Sequence, residues 1–217
     1  MNHLWDYLTA NERQIRDWTA TTLWLAAGPL ALALALALPC GWLAHRYRWA
    51  HAPLVSGLGV LYTVPSLVMF LTIPDVLGTR ILDPLNVVIA LSVYCLALLV
   101  RSVADALDSV PADVLATAAA LGHTALQRLV SVQLPLALPV LGAGLRVAAV
   151  SNVSLVSVAS VIGTSQLGQL FLAGDNTRSL PPLVLGLICF TAIALAFDAV
   201  IVGLIRLATP WRAAVTR

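Results

Sequence analysis

Five stretches of this chain carry no charged side chain, and each is about as long as a bilayer is thick: Trp18–His45, Trp49–Pro74, Pro84–Val100, Val147–Gly174 and Ser179–Phe197. About 20 mostly apolar residues cross the hydrocarbon core as a helix. Inside that core the backbone must satisfy its own hydrogen bonds, so helices are the form such runs take. The pattern predicts an all-α integral membrane protein. Its five transmembrane helices fall roughly over 20–44, 52–74, 84–104, 137–161 and 181–207. Only 10% of the chain is charged, against about 25% in soluble domains, so one transmembrane domain, 20–208, is expected and no separate soluble one.

All twelve basic residues are arginine. A phosphate-binding P-loop needs its lysine, so any ATP that drives this chain binds to another subunit, and no cofactor is expected here. A net charge of +2 with no basic run gives no reason to expect nucleic acid. Cys40, Cys95 and Cys189 each lie within an expected span and read as small buried apolar residues. The histidines, His3, His45, His51 and His123, form no metal-ligand spacing. The first nineteen residues include Asp6, Glu12, Arg13, Arg16 and Asp17, too polar a set for a signal peptide.

With five spans the termini face opposite sides. Arg46, Arg48, Arg101, Arg128, Arg206, Arg212 and Arg217 fall on one side, and Arg13, Arg16, Arg80 and Arg178 on the other. Arginine is enriched in cytoplasmic loops. This places residues 1–19 outside, the long loop 105–136 inside, and the 209–217 tail in the cytoplasm.

Some residues break the apolar background. Pro65 sits mid-span in YTVPSLVMF; it removes a donor, frees the carbonyl of Leu61 and predicts a kink, either for packing or beside a pathway. The fourth span, RVAAVSNVSLVSVASVIG, holds Ser151, Asn152 and Ser154. An amide at membrane depth points to an interhelical hydrogen bond or a wetted cavity. These residues are candidates for a pathway or an interface between subunits, where Gly142 and Gly144 would admit another helix. Helix one is apolar all round, as lipid exposure or peripheral packing produces. Arg146 and Asp198 stand at similar depths in the fourth and fifth spans and are expected to pair. GTSQLGQLF, 163–171, reads as a re-entrant or surface turn.

The loop has its own local grammar. Pro111 and Asp113 suit a helix start, Gly122 a stop, and Thr124 with Gln127 a capping box for a second short helix ending at Pro135. These signals predict a helix-turn-helix on the cytoplasmic surface. Gly122, nine residues, then Val132-Gln133-Leu134-Pro135 resembles the conserved loop of binding-protein-dependent ABC importer permeases. That loop runs Glu-Ala-Ala, three residues, Gly, nine residues, Ile-x-Leu-Pro. VPADVLATAAALG, LPLALPVLGAGLRVAAV, IGTSQLGQLF, the closing TPW and Thr63-Val64-Pro65-Ser66-Leu67 are similar to the subfamily that imports glycine betaine, carnitine and choline. Here the glutamate position is Ala116 and the first alanine is Thr117, while Ala118 and Gly122 match. Tyr62 stands where a glutamine commonly precedes Thr63.

The resemblance implies a type I ABC importer permease in the bacterial inner membrane. Its expected partners are an ABC ATPase, an extracytoplasmic substrate-binding protein and a second permease, with a heterodimer favoured over a homodimer. The implied ATPase-coupling residues are Asp113, Leu115, Ala116, Thr117, Ala118, Leu121, Gly122, Leu134 and Pro135. The implied cargo is a small quaternary-ammonium osmolyte, selected by the binding protein, since the chain has 6% aromatic residues. An amino-acid permease, for methionine for example, is the nearest alternative. A membrane scaffold lacks a reason for the spaced loop, and an aspartyl protease needs two facing carboxylates where only Asp198 lies within a span.

Overall fold

A computed structural model describes residues 2–80 and 83–211. Of the expected tail, residues 212–217 lie outside the described residues. The described chain is helical: α1 (Asn2–Ala10), α2 (Glu12–Arg46), α3 (Arg48–His51), α4 (Leu58–Tyr62), α5 (Ser66–Leu77), α6 (Pro84–Asp108), α7 (Ala112–Ala120), α8 (Ala125–Arg128), α9 (Leu134–Val158), α10 (Gln169–Thr177) and α11 (Leu180–Ala208). Two π-turns, Ala52–Gly57 and Leu129–Gln133, splice α3 to α4 and α8 to α9.

Among the described residues, four helical runs are long and apolar enough to cross a membrane: Glu12–Arg46, Pro84–Asp108, Ala125–Val158 and Leu180–Ala208. The second expected span is present in two pieces, Arg48–Tyr62 and Ser66–Leu77, which meet at 107°. This is a break where the sequence predicts a kink. Proline pushes the residue before it out of the α region, and Pro65 itself is extended at ψ 133°. Val64 N–H turns back to the Leu61 carbonyl at 3.2 Å, so the group freed by proline is satisfied locally. The Val64 carbonyl accepts the hydroxyl of Tyr94 on α6.

The first span also differs from expectation, starting at Glu12 with its polar residues on the opening turns. Its one-sided burial corrects the all-round apolar reading. Thr22, Ala26, Ala33, Ala37, Gly41 and Ala44 recur at helical spacing and are buried, mostly against α6. A Cβ at Gly41 would strike Val103 of α6 at 2.5 Å. Between lipid-facing helices no hydrophobic effect drives contact, so small residues that let backbones approach supply the packing. Within LALALALA, Ala33 and Ala37 face inward while Leu32 and Leu36 face outward, a distinction that hydropathy alone hides.

Helix α6 is the hub, with Val87, Ala90, Leu91, Leu99, Val100 and Ala104 fully buried. One apolar cluster gathers Leu25, Phe70, Leu91, Val153 and Leu170 around its N-terminal half. The other joins Ala33, Leu99, Val103, Leu107, Ala137 and Ala148 around its C-terminal half. Gly142 and Gly144 are close-approach points to helices of this same chain. A side chain at the first would collide with Ile205 of α11, and at the second with Ser102 of α6. They therefore do not serve as the entry point for another permease.

Residues 163–171 fold back into the bundle as the re-entrant alternative predicts. Gly163, at φ +89°, turns the chain after α9. Gln166 is fully buried. Its Nε2 donates to the Val156 carbonyl at 3.1 Å, and its Oε1 accepts from Gly168 N–H at 2.6 Å. Thr22 of α2 accepts from Leu167 N–H at 3.0 Å. Nothing in hydropathy singles out Gln166 or Thr22; two amides, Gln166 and Gln169, among two glycines are the signal available.

Candidate coupling element and membrane-embedded polar face

The element between α6 and α9 is built by its caps. Pro111 takes the N-cap position of α7, and Asp113 lies in the first turn, where a negative charge meets the helix dipole favourably. The helix ends in a Schellman motif. His123 N–H reaches the Ala118 carbonyl at 3.2 Å and Gly122 N–H the Ala119 carbonyl at 3.0 Å. Gly122 carries the required positive φ, +87°. Thr124 and Gln127 then form the reciprocal capping box that opens α8.

Pro135 does not end this second helix, as local rules predict. Ala125–Val158 is one continuous 34-residue run. A proline in a helix lacks its N–H and crowds the carbonyl four residues back. The π-turn absorbs this: Leu134 N–H donates to the Leu129 carbonyl, five residues back. Leu134 and Pro135 thus open α9 without redirecting the chain.

The exposed surface of the element is apolar at its tip. Leu121 is 76% exposed and Leu126 70% exposed. Ala116 and Thr117 also face outward, and the Thr117 hydroxyl donates to the Asp113 carbonyl. Leu115 and Ala118 do not join them. Ala118 is buried, and Leu115 packs against the apolar cluster under the element. A docking role for Leu115 through direct contact is therefore corrected; it holds the element to the bundle.

Beneath the element lie two adjoining cavities. One, of about 320 Å³, is lined by Leu38, Pro39, Trp42, Val103, Leu107 and Leu134 among others. The other, about 510 Å³, has a polar wall that includes His45, Arg46, Arg128 and Gln133. Here three helix ends are tied together. His45 Nδ1 and Asp108 Oδ1 are 2.5 Å apart, Gln133 Nε2 lies 2.9 Å from His45 Nε2, and the same amide donates to the Leu107 carbonyl at 3.2 Å. The capping residues of the loop were legible from sequence, but this cluster was not, because its members are separated by 88 residues in one pair and 63 in another.

A second polar feature lies on α9 and α11. Arg146 donates from Nε to Asp198 Oδ1 at 2.6 Å and from Nη2 to Oδ2 at 2.9 Å, a fork-to-fork pair. The pair borders an open cavity of about 480 Å³ with Ala143, Val147, Val150 and Ser151. Leu136, Val140, Ala143, Val147, Val150 and Ser154 are exposed on α9 at three- and four-residue steps. They form one stripe left uncovered by the rest of the described chain. Asn152 is on the opposite side. It is 1% exposed, and its Nδ2 donates to the Ala26 carbonyl of α2 at 2.7 Å. Its Oδ1 has no partner among the described residues. The interhelical hydrogen bond predicted for this amide is made within the chain, so Asn152 leaves the set of face residues while Ser151 and Ser154 remain. Pro65 is exposed at the break of the second span. Beside it Tyr62 meets Tyr94 edge to face, with ring centroids 5.7 Å apart. Composition gave no hint of this pairing.

Comparison with known proteins agrees with this architecture. Residues 20–210 match the family described as "Binding-protein-dependent transport system inner membrane component". The osmoprotectant import permease protein OsmW of Salmonella typhimurium is 36% identical over 194 residues, covering 87% of this chain and 90% of that protein. The choline transport system permease protein OpuBD of Bacillus subtilis is 27% identical, covering 97% and 92%. Among solved structures, the inward-facing MetNI methionine ABC transporter superposes with a TM-score of 0.73 at 20% identity, over 88% of this chain and 96% of that one. At that identity the likeness is one of fold: the type I ABC importer permease fold. The chain belongs to the family of binding-protein-dependent transport system inner membrane components, as a non-catalytic permease component of an ABC importer for a small polar or charged solute.

Proposed function

We propose that the chain carries a small quaternary-ammonium osmolyte, of the glycine betaine, carnitine or choline type, across the inner membrane. An extracytoplasmic binding protein delivers the solute, and an ABC ATPase docks at residues 111–135. The solute class rests on the likeness to permeases named for osmoprotectant and choline transport, which extends over nearly the whole of both chains. The observation that carries the mechanism is the continuous helix Ala125–Val158. One end bears the exposed apolar tip beside Leu121 and Leu126; the other passes Arg146 and the serine-bearing stripe. A push on the tip therefore acts directly on a membrane-embedded polar face.

In this reading a second permease covers the α9 stripe, and solute passes between the two chains. The partner is a different permease, whose own loop carries the carboxylate that Ala116 lacks. ATP-driven closure shifts the pair between pre-existing inward and outward states. The N-terminus lies outside and the loop and C-terminus in the cytoplasm, following the arginine distribution.

The test is uptake of labelled glycine betaine, carnitine and choline in cells lacking other osmolyte importers. The chain is expressed with an ATPase, a second permease and a binding protein from the same organism. Accumulation that unlabelled methionine does not compete is the expected result. Methionine accumulation without uptake of any quaternary ammonium would sink the substrate assignment.

A further inference from the structure

The coupling element meets the bundle through apolar contacts and a polar tie, and the tie has a single consistent arrangement of protons. Gln133 is 7% exposed, and its amide nitrogen faces two acceptors, the Leu107 carbonyl at 3.2 Å and His45 Nε2 at 2.9 Å. An amide NH2 has two hydrogens, and both are used. His45 Nε2 must then be the bare nitrogen, which leaves the imidazole proton on Nδ1, where Asp108 accepts it at 2.5 Å. Reversing the amide would set its oxygen against the Leu107 carbonyl oxygen, so the orientation is fixed by its neighbours.

Each partner lies at the end of a different helix. His45 closes α2, Leu107 and Asp108 close α6, and Gln133 is the last residue of the π-turn that leads from the coupling element into α9. The π-turn has one residue more than an α-turn would, which rotates the downstream residues by about 100°. The turn that accommodates Pro135 thus also sets the direction of Gln133.

We propose that Gln133 is the positioning residue that ties the ATPase-docking loop to α2 and α6, with His45 as the intermediary and Asp108 holding its tautomer. This rests on the assignment of residues 111–135 as the docking element. Displacement of the loop then moves three membrane helices together: α9 through continuous backbone, α2 through His45, and α6 through the Leu107 carbonyl. Without the tie, α9 moves alone, and ATP is hydrolysed without full rearrangement of the pathway.

The experiment uses the full transporter, with ATPase, partner permease and binding protein, in liposomes, and measures uptake per ATP hydrolysed. Gln133→Leu should co-purify with the ATPase like wild type while uptake per ATP falls by about 10-fold, the scale of losing two buried hydrogen bonds. His45→Phe, which leaves the Leu107 bond in place, should lose coupling by no more than Gln133→Leu, and the double variant should be no worse than Gln133→Leu alone. Gln133→Glu keeps the side-chain length but has no N–H to give the Leu107 carbonyl, so it should also lose coupling, which a merely space-filling role would not predict. Full coupling in Gln133→Leu or in Gln133→Glu, or additive losses in the double variant, would each overturn the proposal. A wild-type complex that never binds an ATPase would instead overturn the docking assignment on which it rests.

Discussion

Replacing Gly122 tests whether the docking loop is held by backbone conformation or by contact. Its φ of +87° lies in the region that L side chains avoid, and a Cβ added there would meet nothing within 4 Å. Collision within this chain therefore explains no effect, and backbone strain is the cost the chain itself imposes. An alanine in a left-handed conformation costs about 1–2 kcal/mol, and about 0.4–1 kcal/mol returns because the unfolded chain loses freedom. The net is about 1 kcal/mol, which is about a 5-fold shift against the Schellman turn, since 1.4 kcal/mol is tenfold. If the ATPase binds only the turned loop, apparent affinity falls by no more than that factor. Asparagine visits the left-handed region more readily and should fall between glycine and alanine, and valine should fall below alanine. The assay is titration of purified ATPase onto the permease complex, read together with substrate-stimulated hydrolysis. Equal affinity for Gly, Asn, Ala and Val at 122, or an asparagine variant weaker than alanine, would refute conformational selection of this turn.

Three further perturbations act inside the bundle. Asn152→Leu exchanges an interhelical hydrogen bond, worth about 0.6–1.7 kcal/mol in membranes, for relief of an unpartnered buried acceptor, which costs about 1–3 kcal/mol. Its thermal midpoint in detergent should be unchanged or raised and its uptake retained, and lost uptake in a well-folded variant would contradict an internal role. Arg146→Ala and Asp198→Asn should each lower uptake, and the exchange of Arg146→Asp with Asp198→Arg should restore part of it; equal loss in the exchange would show that the geometry of the fork, not the pairing, is what matters. Gly142→Leu drives a side chain into Ile205, and overpacking of this kind costs about 1–3 kcal/mol, so the midpoint should drop unless Ile205→Ala is added to make room.

The spans were legible because charge is excluded from lipid so strongly that its absence alone marks them. Caps were legible for a different reason: Pro111, Gly122 and the Thr124–Gln127 box each act within a few residues of their own position. What hydropathy could not rank was which apolar face packs. The alternating Leu-Ala run of α2 is uniformly apolar, yet helical position sorts it, with Leu30, Ala33 and Ala37 buried and Ala31, Leu32, Ala35 and Leu36 outward. Prolines misled in both directions. Pro65 breaks its helix by 107°, with no π-turn across it, whereas Pro135 is absorbed by one. The rule that proline removes a donor holds in both places, and tertiary context decides what the backbone does about it. The tie among His45, Asp108 and Gln133 was out of reach, since no local signal links residues that far apart.

The missing glutamate gains a structural setting from these positions. Ala116 is exposed on α7, and Asp113, also exposed, stands three residues before it and so on the same side of the helix. A carboxylate is therefore still presented along this face, displaced by just under one turn, or about 4.5 Å. Thr117 does not substitute, because it carries no charge and its hydroxyl proton is given to the Asp113 carbonyl. The tip itself offers Leu121 and Leu126, two large apolar side chains that nothing in the described chain covers. An interface built on an apolar tip with an offset charge depends on shape more than on a buried ion pair. Such an element is consistent with the proposed pairing with a different permease, while this chain supplies a continuous helix running from Ala125 past the Arg146–Asp198 pair.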